Sequence, residues 1–422
     1  MTEKEKTIAI IGLGYVGLPL AIVFSEKFTV IGFDINHGRV EDLKKNKDTT
    51  LECSEGELRN ANIHFTSNIE RIKKANVFIV TVPTPVDREN VPDFTHLESA
   101  SKTVAYALSK GDYVIYESTV FPGATEEICL PILEKHSQMK CNKDFFIGYS
   151  PERINPGDKS KKIHEITKIT SGSCEEASEY IDLLYSQVIK AGTHKASSIK
   201  VAEAAKVIEN TQRDLNIALV NELSIIFSHL DIDTHEVLDA AATKWNFHHF
   251  VPGMVGGHCI GVDPYYLTYK SKQVGYEPKI ILSGREMNDQ MAIYYGDVIS
   301  SKINKDKSNE EKKVLVLGMT FKENCPDFRN TKVIDLVRYL ESKQMKVDIF
   351  DPYIEIDLIG KEFNLNLIDN IQPNYYDGIA ITVAHDHFKR MGIEQIKSFG
   401  KDKVLIFDLK NIFPIHDGLI RI

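Results

Sequence analysis

The stretch that decides the fold is Thr7-Ile8-Ala9-Ile10-Ile11-Gly12-Leu13-Gly14-Tyr15-Val16-Gly17. Its first five residues form a continuously apolar run, which is typical of a parallel strand buried on both faces. The G-x-G-x-x-G that follows opens an apolar helix, 18–24, whose N-terminal amides would face a pyrophosphate. The next strand, 29–33, ends in Asp34, at the separation where an acid accepts hydrogen bonds from ribose hydroxyls. This order predicts a dinucleotide site that prefers NAD to NADP.

Further strands of the same unit end in polar residues. The strand 76–82 leads to Thr84, the strand 113–117 to Thr119, and the strand 145–149 to Glu152 and Arg153. Ligands of a doubly wound sheet lie outside the carboxyl ends of its strands, so both threonines are expected beside the cofactor. Ordinary turn chemistry is the alternative for each hydroxyl. The predicted cofactor-binding set is Gly12, Gly14, Tyr15, Val16, Gly17, Asp34, Arg39, Thr84 and Thr119.

One long helix is predicted in the middle of the chain. From Ser197 to Leu230 apolar residues recur at helical spacing without Pro or Gly. Such a helix most simply joins two domains, and its remaining apolar surface could form a dimer seam. Lys206 and Asn210 are four residues apart and therefore share a face. Together they could stabilise an oxyanion, or they could belong to a solvated helix face.

The candidate catalytic turn lies between Val255 and Tyr266. Cys259 stands behind Gly256 and Gly257, and Asp263 follows four residues later. Glycines without Cβ allow a ligand to approach the backbone closely, and a thiol placed there can act as a nucleophile. The alternative is that Cys259 is a small buried hydrophobe, as most free cysteines are.

The C-terminal third repeats the plan of the first. A strand, 313–318, a helix, 331–342, and a second strand, 347–351, follow a polar linker, 302–313. The turn after the first strand lacks the second and third glycines, so it is not expected to hold a dinucleotide in the same way. Lys322 and Arg329 suit phosphate instead, as a point charge and a bidentate fork.

The predicted architecture is α/β, with two Rossmann-like doubly wound domains joined by the long central helix. The expected boundaries are 1–196, 197–300 and 301–422. A chain of 422 residues that is 42% hydrophobic can bury more than one core. A net charge of −9 argues against a nucleic-acid partner, since such a surface is normally basic. No apolar run approaches the ~18 residues of a membrane span, and the six cysteines form no C-x-x-C pair, so a cytoplasmic protein is expected.

Several separated motifs together resemble the UDP-glucose/GDP-mannose dehydrogenase family, whose NAD-dependent members oxidise a nucleotide sugar at C6 twice. In chain order they are the glycine fingerprint 12–17, Ser118-Thr119-Val120 with Pro122-Gly123, Ser150-Pro151-Glu152, Lys206 with Asn210, Gly256-Gly257-His258-Cys259 with Asp263, and Gly318-Met319-Thr320-Phe321-Lys322 with Asp327 and Arg329.

The resemblance implies a role for each matching residue. Cys259 would be the nucleophile, and Lys206 and Asn210 would stabilise oxyanions. Asp263 and Thr119 would hold water or relay protons, and Glu152 would assist thioester hydrolysis. The implied substrate contacts are Glu152, Arg153, Lys206, Asn210, Gly256, Gly257, Lys322 and Arg329.

The turn Cys259–Tyr266, with Lys244–Phe247 before it, is similar to the branch that acts on UDP-N-acetylglucosamine or UDP-N-acetylgalactosamine. UDP-N-acetylmannosamine and UDP-glucose are the alternative substrates. Family members often supply an arginine from a neighbouring subunit just before the Gly-Gly turn. No arginine lies between Arg213 and Arg285, so Lys244 is the candidate for that role. The apolar surface of the predicted 197–230 helix favours a homodimer or a higher homo-oligomer, because so long an amphipathic helix seldom buries all of that surface within one subunit.

Three other functions are consistent with parts of the sequence. A two-electron alcohol dehydrogenase would need no cysteine, and a silent nucleotide-sugar or NAD sensor would bind the same ligands without turnover. A metal enzyme built on His248, His249 and His258 is disfavoured, because no compact ligand spacing supports it. No metal is predicted.

Overall fold

The computed structural model describes residues 6–87, 89–154, 162–257, 259–306, 311–354, 363–414 and 416–421. The chain divides into two compact units, each formed from two segments. The first unit comprises Met1–Glu209 and Tyr265–Glu277, and the second comprises Asn210–Pro264 and Pro278–Ile422. The three-part division at residues 196 and 300 stays a prediction.

The first unit is built on a sheet whose strands are β1 (Thr7–Ile11), β2 (Thr29–Phe33), β3 (Ile63–Thr66), β4 (Val77–Val80), β5 (Asp112–Tyr116), β6 (Phe145–Tyr149), β7 (Lys168–Gly172) and β8 (Thr193–Lys195). Within the described residues their order is β3-β2-β1-β4-β5-β6-β7-β8. Neighbours are parallel except β6 and β7, which are antiparallel. The sequence 3-2-1-4-5-6 is the order of a dinucleotide-binding sheet, so the predicted fold is confirmed for this unit.

Helices cover the sheet of the first unit. They are α1 (Gly17–Ser25), α2 (His37–Lys44), α3 (Glu55–Asn60), α4 (Ile69–Ile72), α5 (Thr95–Ala107), a π-turn (Thr125–Cys129) that leads into α6 (Leu130–Ser137), a 3₁₀ turn (Ile163–Glu165) and α7 (Glu175–Ser186). Local caps fix where some of them begin: the Asn36 side chain accepts from the Arg39 amide at the start of α2, and Ser54 with Glu57 forms a capping box at α3. α1 and α7 meet where the rings of Phe24 and Tyr185 pack edge to face at 5.4 Å.

The predicted central helix is α8 (Ile199–His229), 31 residues long, and it joins the domains. It is followed by α9 (Thr234–Ala242), α10 (Asp263–Gln273) and α11 (Lys279–Ile303). The sequence did not predict α11, although it spans 25 residues. Gly284 of α11 explains how it packs on α8, because a Cβ there would lie 2.4 Å from Cδ2 of Leu215.

The second sheet belongs to the second unit and is parallel throughout its described strands. They are β9 (Lys313–Leu317), β10 (Lys346–Phe350), β11 (Tyr376–Ile381), β12 (Gly400–Asp408) and β13 (Leu419–Arg421), in the order β10-β9-β11-β12-β13. α12 (Val333–Ser342) and α13 (Asp386–Ser398) accompany it, and α13 is interrupted at Gly392. The predicted repeat of the Rossmann plan is therefore confirmed. The predicted linker 302–313 begins too early, since α11 continues to Ile303, and residues 307–310 lie outside the described part.

Within the described residues, no helix is both long and apolar enough to cross a membrane.

Candidate active site

The glycines of the first βα turn differ in the space around them. Gly12 has φ +95°, and a Cβ on Gly17 would lie 1.9 Å from the Gly12 carbonyl oxygen and 2.4 Å from Oγ1 of Thr81. A Cβ on Gly14 would meet no atom within 4 Å. Gly17 is thus required by the close approach of strand and helix, whereas Gly14 borders open space. This is the arrangement in which backbone amides can approach a pyrophosphate.

Asp34 and Arg39 hold the glycine turn from two sides through the backbone of Leu13. Asp34 Oδ2 accepts from the Leu13 amide at 2.9 Å, and its Oδ1 accepts from the Asn36 amide at 2.8 Å. Arg39 Nε donates to the Leu13 carbonyl at 2.9 Å, and its Nη1 lies 2.7 Å from Asp48. Asp34 therefore lies at the turn, and Arg39 braces the turn through the backbone.

The carboxyl ends of β4 and β5 are tied together by hydroxyl groups. Thr84 Oγ1 donates to the Thr119 carbonyl at 2.6 Å, and Ser118 Oγ donates to the Val82 carbonyl at 2.6 Å. The hydroxyl of Tyr266, on α10, donates to the Thr84 carbonyl. The two predicted threonines thus lie side by side. Tyr266 is buried. It belongs to the candidate catalytic turn 255–266, but it was not predicted as a site residue.

Glu152 and Arg153 have different surroundings. Glu152 is buried, its Oε1 accepts from the amides of Arg153 and Ile154, and its Oε2 accepts from Lys168 Nζ at 3.1 Å. The Arg153 guanidinium pairs with Glu209 at 2.7 Å. The arginine fork, predicted as a substrate contact, is thus engaged with a carboxylate. Lys168 was not predicted.

Lys206 and Asn210 are both buried, each only 8% exposed. The alternative of a solvated helix face is therefore wrong. One turn before Lys206, Glu203 is fully buried and accepts from the amides of Gly123 and Thr125. Burial raises the pKa of Glu203 to about 7 against the effect of those hydrogen bonds. The Pro122-Gly123 turn, one of the family motifs, is thus anchored to α8.

Three of the predicted catalytic residues come together in the second unit. Asn210 Nδ2 donates to Asp263 Oδ2 at 2.5 Å. The amides of Asp263 and Val262 donate to the Cys259 carbonyl at 2.8 and 3.1 Å. Asp263 is buried and begins α10, while Cys259 is half-buried. The turn therefore places Cys259 four residues before a buried carboxylate that is bonded to the Asn210 amide.

The Gly-Gly pair before Cys259 is required by protein contacts. Gly257 has φ +81°, its amide donates to the Asn330 carbonyl at 3.2 Å, and a Cβ there would lie 2.6 Å from the Phe321 ring. A Cβ on Gly256 would lie 2.8 Å from the Asn330 carbonyl oxygen. On this side, the close approach that the glycines allow is made by other parts of the chain.

A buried polar bridge supports the same turn from α8. Asn221 Oδ1 accepts from the Gly253 amide at 2.8 Å, and its Nδ2 donates to the Gly253 carbonyl at 3.0 Å and to Asn288 at 2.8 Å. Asn288 in turn donates to Asp214, which pairs with Arg285 at 2.5 Å. None of these residues was predicted, and buried Asn side chains inside helices were the available signal.

The second Rossmann-like sheet has an acid at the position that corresponds to Asp34, but a buried histidine contacts this acid. Asp351 follows β10 as Asp34 follows β2, and its Oδ2 accepts from the amides of Met319 and Thr320 at 2.6 and 3.1 Å. The fully buried His385 places Nε2 3.2 Å from the same oxygen. The acid that would take ribose hydroxyls is thus engaged by a histidine. This agrees with the prediction that a dinucleotide is not held there in the same way.

A pocket within the second unit has cationic residues in its lining. Lys322, Lys332 and Lys410 line it together with Gly256, Thr320, Phe321 and Thr331. Lys332 Nζ lies 2.9 Å from Asp289, and burial lowers the pKa of Lys410. Lys322 was predicted for phosphate. Lys410 was missed, although it follows the carboxyl end of β12, where ligands of such sheets lie.

Arg329 is held bidentately by Asp327, with Nε and Nη2 at 2.9 and 2.5 Å from its two oxygens, and its side chain is half exposed. Lys244, His248 and His249 are exposed, and His258 lies outside the described residues. The described residues hold no group of three or more metal-ligating side chains.

Models of a single protein family match the chain in three parts. The UDP-glucose/GDP-mannose dehydrogenase NAD binding domain matches residues 6–189, the family's central domain matches 200–290, and its UDP binding domain matches 315–415. The chain belongs to the UDP-glucose/GDP-mannose dehydrogenase family. It is an NAD-dependent nucleotide-sugar dehydrogenase with a UDP-binding domain, as its motifs predicted.

Full-length relatives carry narrower names. The chain is 55% identical to the UDP-N-acetyl-D-glucosamine 6-dehydrogenase of Salmonella typhi, over 99% of both chains, and 55% identical to that of Pseudomonas aeruginosa, over 99% and 100%. It is 33% identical to the UDP-N-acetyl-D-mannosamine dehydrogenase of Methanocaldococcus jannaschii, over 98% and 95%. Among solved structures, the UDP-D-ManNAc dehydrogenase of Pyrococcus horikoshii superposes with a TM-score of 0.87 at 28% identity, over 98% of both chains.

Proposed function

We propose that this enzyme oxidises the C6 hydroxyl of a UDP-N-acetylhexosamine to the carboxylate, with UDP-N-acetylglucosamine as the preferred substrate. The observation that carries the proposal is the 55% identity to two UDP-N-acetyl-D-glucosamine 6-dehydrogenases over essentially the whole chain, against 33% to a UDP-N-acetyl-D-mannosamine dehydrogenase. The enzyme would act in the cytoplasm, and its uronic acid product would serve as a precursor of surface polysaccharide.

Cys259 is the proposed covalent nucleophile. Oxidation of a primary alcohol to an acid takes two hydride transfers, and a covalent bond keeps the aldehyde from escaping between them. The Cys259 sulfur adds to the aldehyde carbon and gives a thiohemiacetal, which becomes a thioester when it loses a hydride from carbon and the proton of its hydroxyl group to water. Water then adds to the thioester carbon, the C–S bond breaks, and the electron pair returns to sulfur. The position of Cys259 in the turn that leads into the buried Asp263, which is bonded to Asn210, supports this assignment.

Oxyanions arise at the first and last of these steps. Lys206 and Asn210 are proposed to stabilise them, a contribution typically worth ~2.7–4 kcal/mol per donor. The Asn210 amide is oriented by its bond to Asp263, so it is held in place before the charge develops. Asp263 and Thr119 are proposed to hold water or relay protons, and Glu152 to assist hydrolysis of the thioester.

NAD would be held by the glycine turn of the first unit. Gly12, Gly14 and Gly17 with Tyr15 and Val16 would face the pyrophosphate, Asp34 the ribose, and Thr84 and Thr119 the strand ends beside it. Bound NAD+ supplies the hydride acceptor for each oxidation. The open space at Gly14 and the position of Asp34 on the Leu13 amide support this fit.

The nucleotide half of the substrate is proposed to occupy the pocket at Lys322, with Lys332 and Lys410 adding positive charge. Arg329 would reach phosphate by exchanging its Asp327 partner. Glu152 and Arg153, with Gly256 and Gly257, are the remaining proposed substrate contacts.

A homodimer, or a larger assembly, is proposed to form along α8. Four exposed apolar side chains recur on this helix and a fifth follows its last residue, each at least 45% exposed: Val201, Ile208, Leu219, Ile226 and Leu230. The spacings of 7, 11 and 7 residues keep the four helical side chains on one face. Lys244, which is exposed, would be offered to the neighbouring subunit. Sedimentation should show a dimer or more at micromolar concentration, and a wild-type monomer would remove this proposal.

The substrate assignment is tested by kcat/KM on UDP-N-acetylglucosamine, its galacto and manno epimers, and UDP-glucose. We expect the highest value for UDP-N-acetylglucosamine, with two NADH formed per sugar consumed. A clear preference for UDP-glucose would contradict the assignment. One NADH per sugar would indicate a simple alcohol dehydrogenase, and none a silent sensor.

A further inference from the structure

Three charged side chains form a buried cluster in the first unit. Glu117, Glu152 and Lys168 are 1%, 6% and 2% exposed. Lys168 Nζ lies 2.5 Å from Oε2 of Glu117 and 3.1 Å from Oε2 of Glu152. Charges are almost never this deeply buried unless they are paired, and one cation here serves two carboxylates. Sequence motifs pointed only to Glu152.

The antiparallel strand explains how the cation reaches this place. Glu117 directly follows β5 and Glu152 lies just beyond β6, so both leave the carboxyl edge of the sheet. β7 runs antiparallel to β6, with Tyr149 opposite Ser171. Its first residue, Lys168, therefore projects past the end of β6 and comes level with Glu152. A parallel strand in this position would have ended, and not begun, at that edge.

The oxygens of Glu152 are fixed by three donors. Oε1 accepts from the amides of Arg153 at 2.7 Å and Ile154 at 2.6 Å, and Oε2 accepts from Lys168. Burial on its own would raise the pKa of Glu152. The Lys168 charge and the backbone donors outweigh burial, so the pKa of Glu152 is lowered.

The other carboxyl group has the opposite balance. Burial raises the pKa of Glu117 to about 7. The nearby Lys168 charge opposes this increase, and the Glu152 charge adds to it. The Tyr185 hydroxyl, from α7, donates to Glu117, and its ring lies 5.5 Å from Lys168 Nζ. Near neutral pH the cluster therefore keeps Glu152 ionised while Glu117 takes up and releases the proton. Two equivalent buried carboxylates would instead share it.

We propose that Lys168 is a positioning residue that keeps Glu152 ionised and oriented for thioester hydrolysis. This rests on the proposed function, in which Glu152 accepts a proton from the attacking water. The water oxygen bonds to the thioester carbon, and the C–S bond breaks with its electron pair going to the Cys259 sulfur. The carboxylic acid product then ionises in solvent. Only the ionised form of Glu152 can accept that proton, so Lys168 extends hydrolysis to lower pH.

The experiment compares Lys168→Met with wild type in the pH profile of kcat and in the mass of the enzyme during turnover. An opposite charge near a carboxylate changes its pKa by ~1–3 units. The acid limb of kcat should therefore move up by at least about one pH unit in the variant. Enzyme carrying covalently attached sugar should accumulate below that limb, because hydrolysis has become the slow step. KM for the UDP-sugar should fall together with kcat, because a slow last step lowers both and leaves kcat/KM unchanged.

Two further variants keep the test decisive. Lys168→Arg retains the positive charge and should keep the acid limb near its wild-type position. Lys168→Met/Glu117→Gln leaves one buried carboxylate in place of two, and it takes the place of the single variant if thermal melting shows that the latter is unfolded. In the double variant Glu152 still lacks its cation, so the acid limb should again move up.

An unchanged acid limb with no sugar adduct in either folded methionine variant would overturn the role of Lys168. That result leaves the proposed function standing if wild type still forms two NADH per sugar. A wild-type enzyme that forms no NADH from any UDP-sugar would overturn the proposed function, and this inference with it.

Discussion

Replacing Gly257 by alanine tests whether the Gly-Gly turn fixes the position of the Cys259 thiol. Gly257 has φ +81°, and a Cβ there would lie 2.6, 2.9 and 3.0 Å from three atoms of the Phe321 ring. The positive φ costs an L-residue about 1–2 kcal/mol. Carbon atoms prefer a separation of ~3.5–4 Å, so the ring or the turn must move by about 1 Å. Overpacking of this kind costs about 1–3 kcal/mol, for a total of about 2–5 kcal/mol.

The expected consequence is a fall in kcat of about 100-fold, because a displacement of about 1 Å at the reacting atoms has that effect. NAD+ affinity should stay unchanged, since the glycine turn 12–17 belongs to the other unit. Gly192→Ala is the matched control: Gly192 has φ +84°, but no atom lies within 4 Å of its Cβ position. It should lose only the backbone cost of about 1–2 kcal/mol in unfolding free energy and keep its kcat.

Steady-state NADH formation and denaturant unfolding of both variants measure these effects. Adding Phe321→Leu to Gly257→Ala should recover part of the lost kcat, because the smaller side chain makes room for the new methyl group. A Gly257→Ala enzyme with wild-type kcat would refute the reasoning, since the turn would then not set the position of the thiol.

Three further predictions concern the first unit. Gly17→Ala should destabilise the protein and abolish NAD+ binding in calorimetric titration, because its Cβ would lie 1.9 Å from the Gly12 carbonyl oxygen. Gly14→Ala should fold normally and lose only NAD+ affinity. Wild-type NAD+ affinity in the Gly17→Ala variant would contradict the close approach of strand and helix at this turn. Asp34→Asn should narrow the preference for NAD+ over NADP+ in kcat/KM, since the carboxylate repels a 2′-phosphate, and an unchanged ratio would mean that it faces elsewhere. Because burial raises the pKa of Glu203 to about 7 from 4.5, the native state keeps a proton that the unfolded chain loses, so its contribution to unfolding free energy falls as pH rises through that window, by up to ~1.4 kcal/mol per pH unit. Denaturant unfolding of Glu203→Gln against wild type at several pH values should show this difference in slope, and parallel curves would argue against it.

Local patterns were enough to predict the two Rossmann-like sheets. The apolar run before Gly12, the glycine turn and Asp34 lie within about one βαβ unit, and their spacing reflects contacts between neighbours in sequence. The same holds for α8, whose apolar repeat continues for eight turns or more without a helix breaker.

The other long helix was missed because its sequence contains breakers. Gly284 and Gly296 lie inside α11, and glycine weakens a helical pattern. In the structure both glycines serve packing: a Cβ would lie 2.4 Å from Leu215 at one and 2.4 Å from Tyr339 at the other. Tertiary packing, which a single sequence does not display, decides this helix.

The site was predicted by residue type but not by contact. Cys259, Asp263 and Asn210 were named from motifs, yet the bond between Asn210 and Asp263 joins residues 53 apart in sequence. Lys168 was overlooked for a related reason. Its place beside Glu152 depends on the antiparallel direction of β7, and strand direction is set by the pairing partner and not by the strand's own residues.

The central claim is that the Cys259 sulfur carries the sugar from the first oxidation to the second. Its most direct test is the rate and stoichiometry of NADH formation by Cys259→Ser, with Cys259→Ala beside it. Both variants should bind NAD+ and the UDP-sugar, because neither site depends on sulfur, and turnover should nearly vanish. In the serine variant an ester hydrolyses less readily than a thioester, so a covalent sugar adduct is expected in its mass spectrum. Near-wild-type production of two NADH per sugar by either variant would mean that Cys259 is a packing residue, and the proposed mechanism would be wrong.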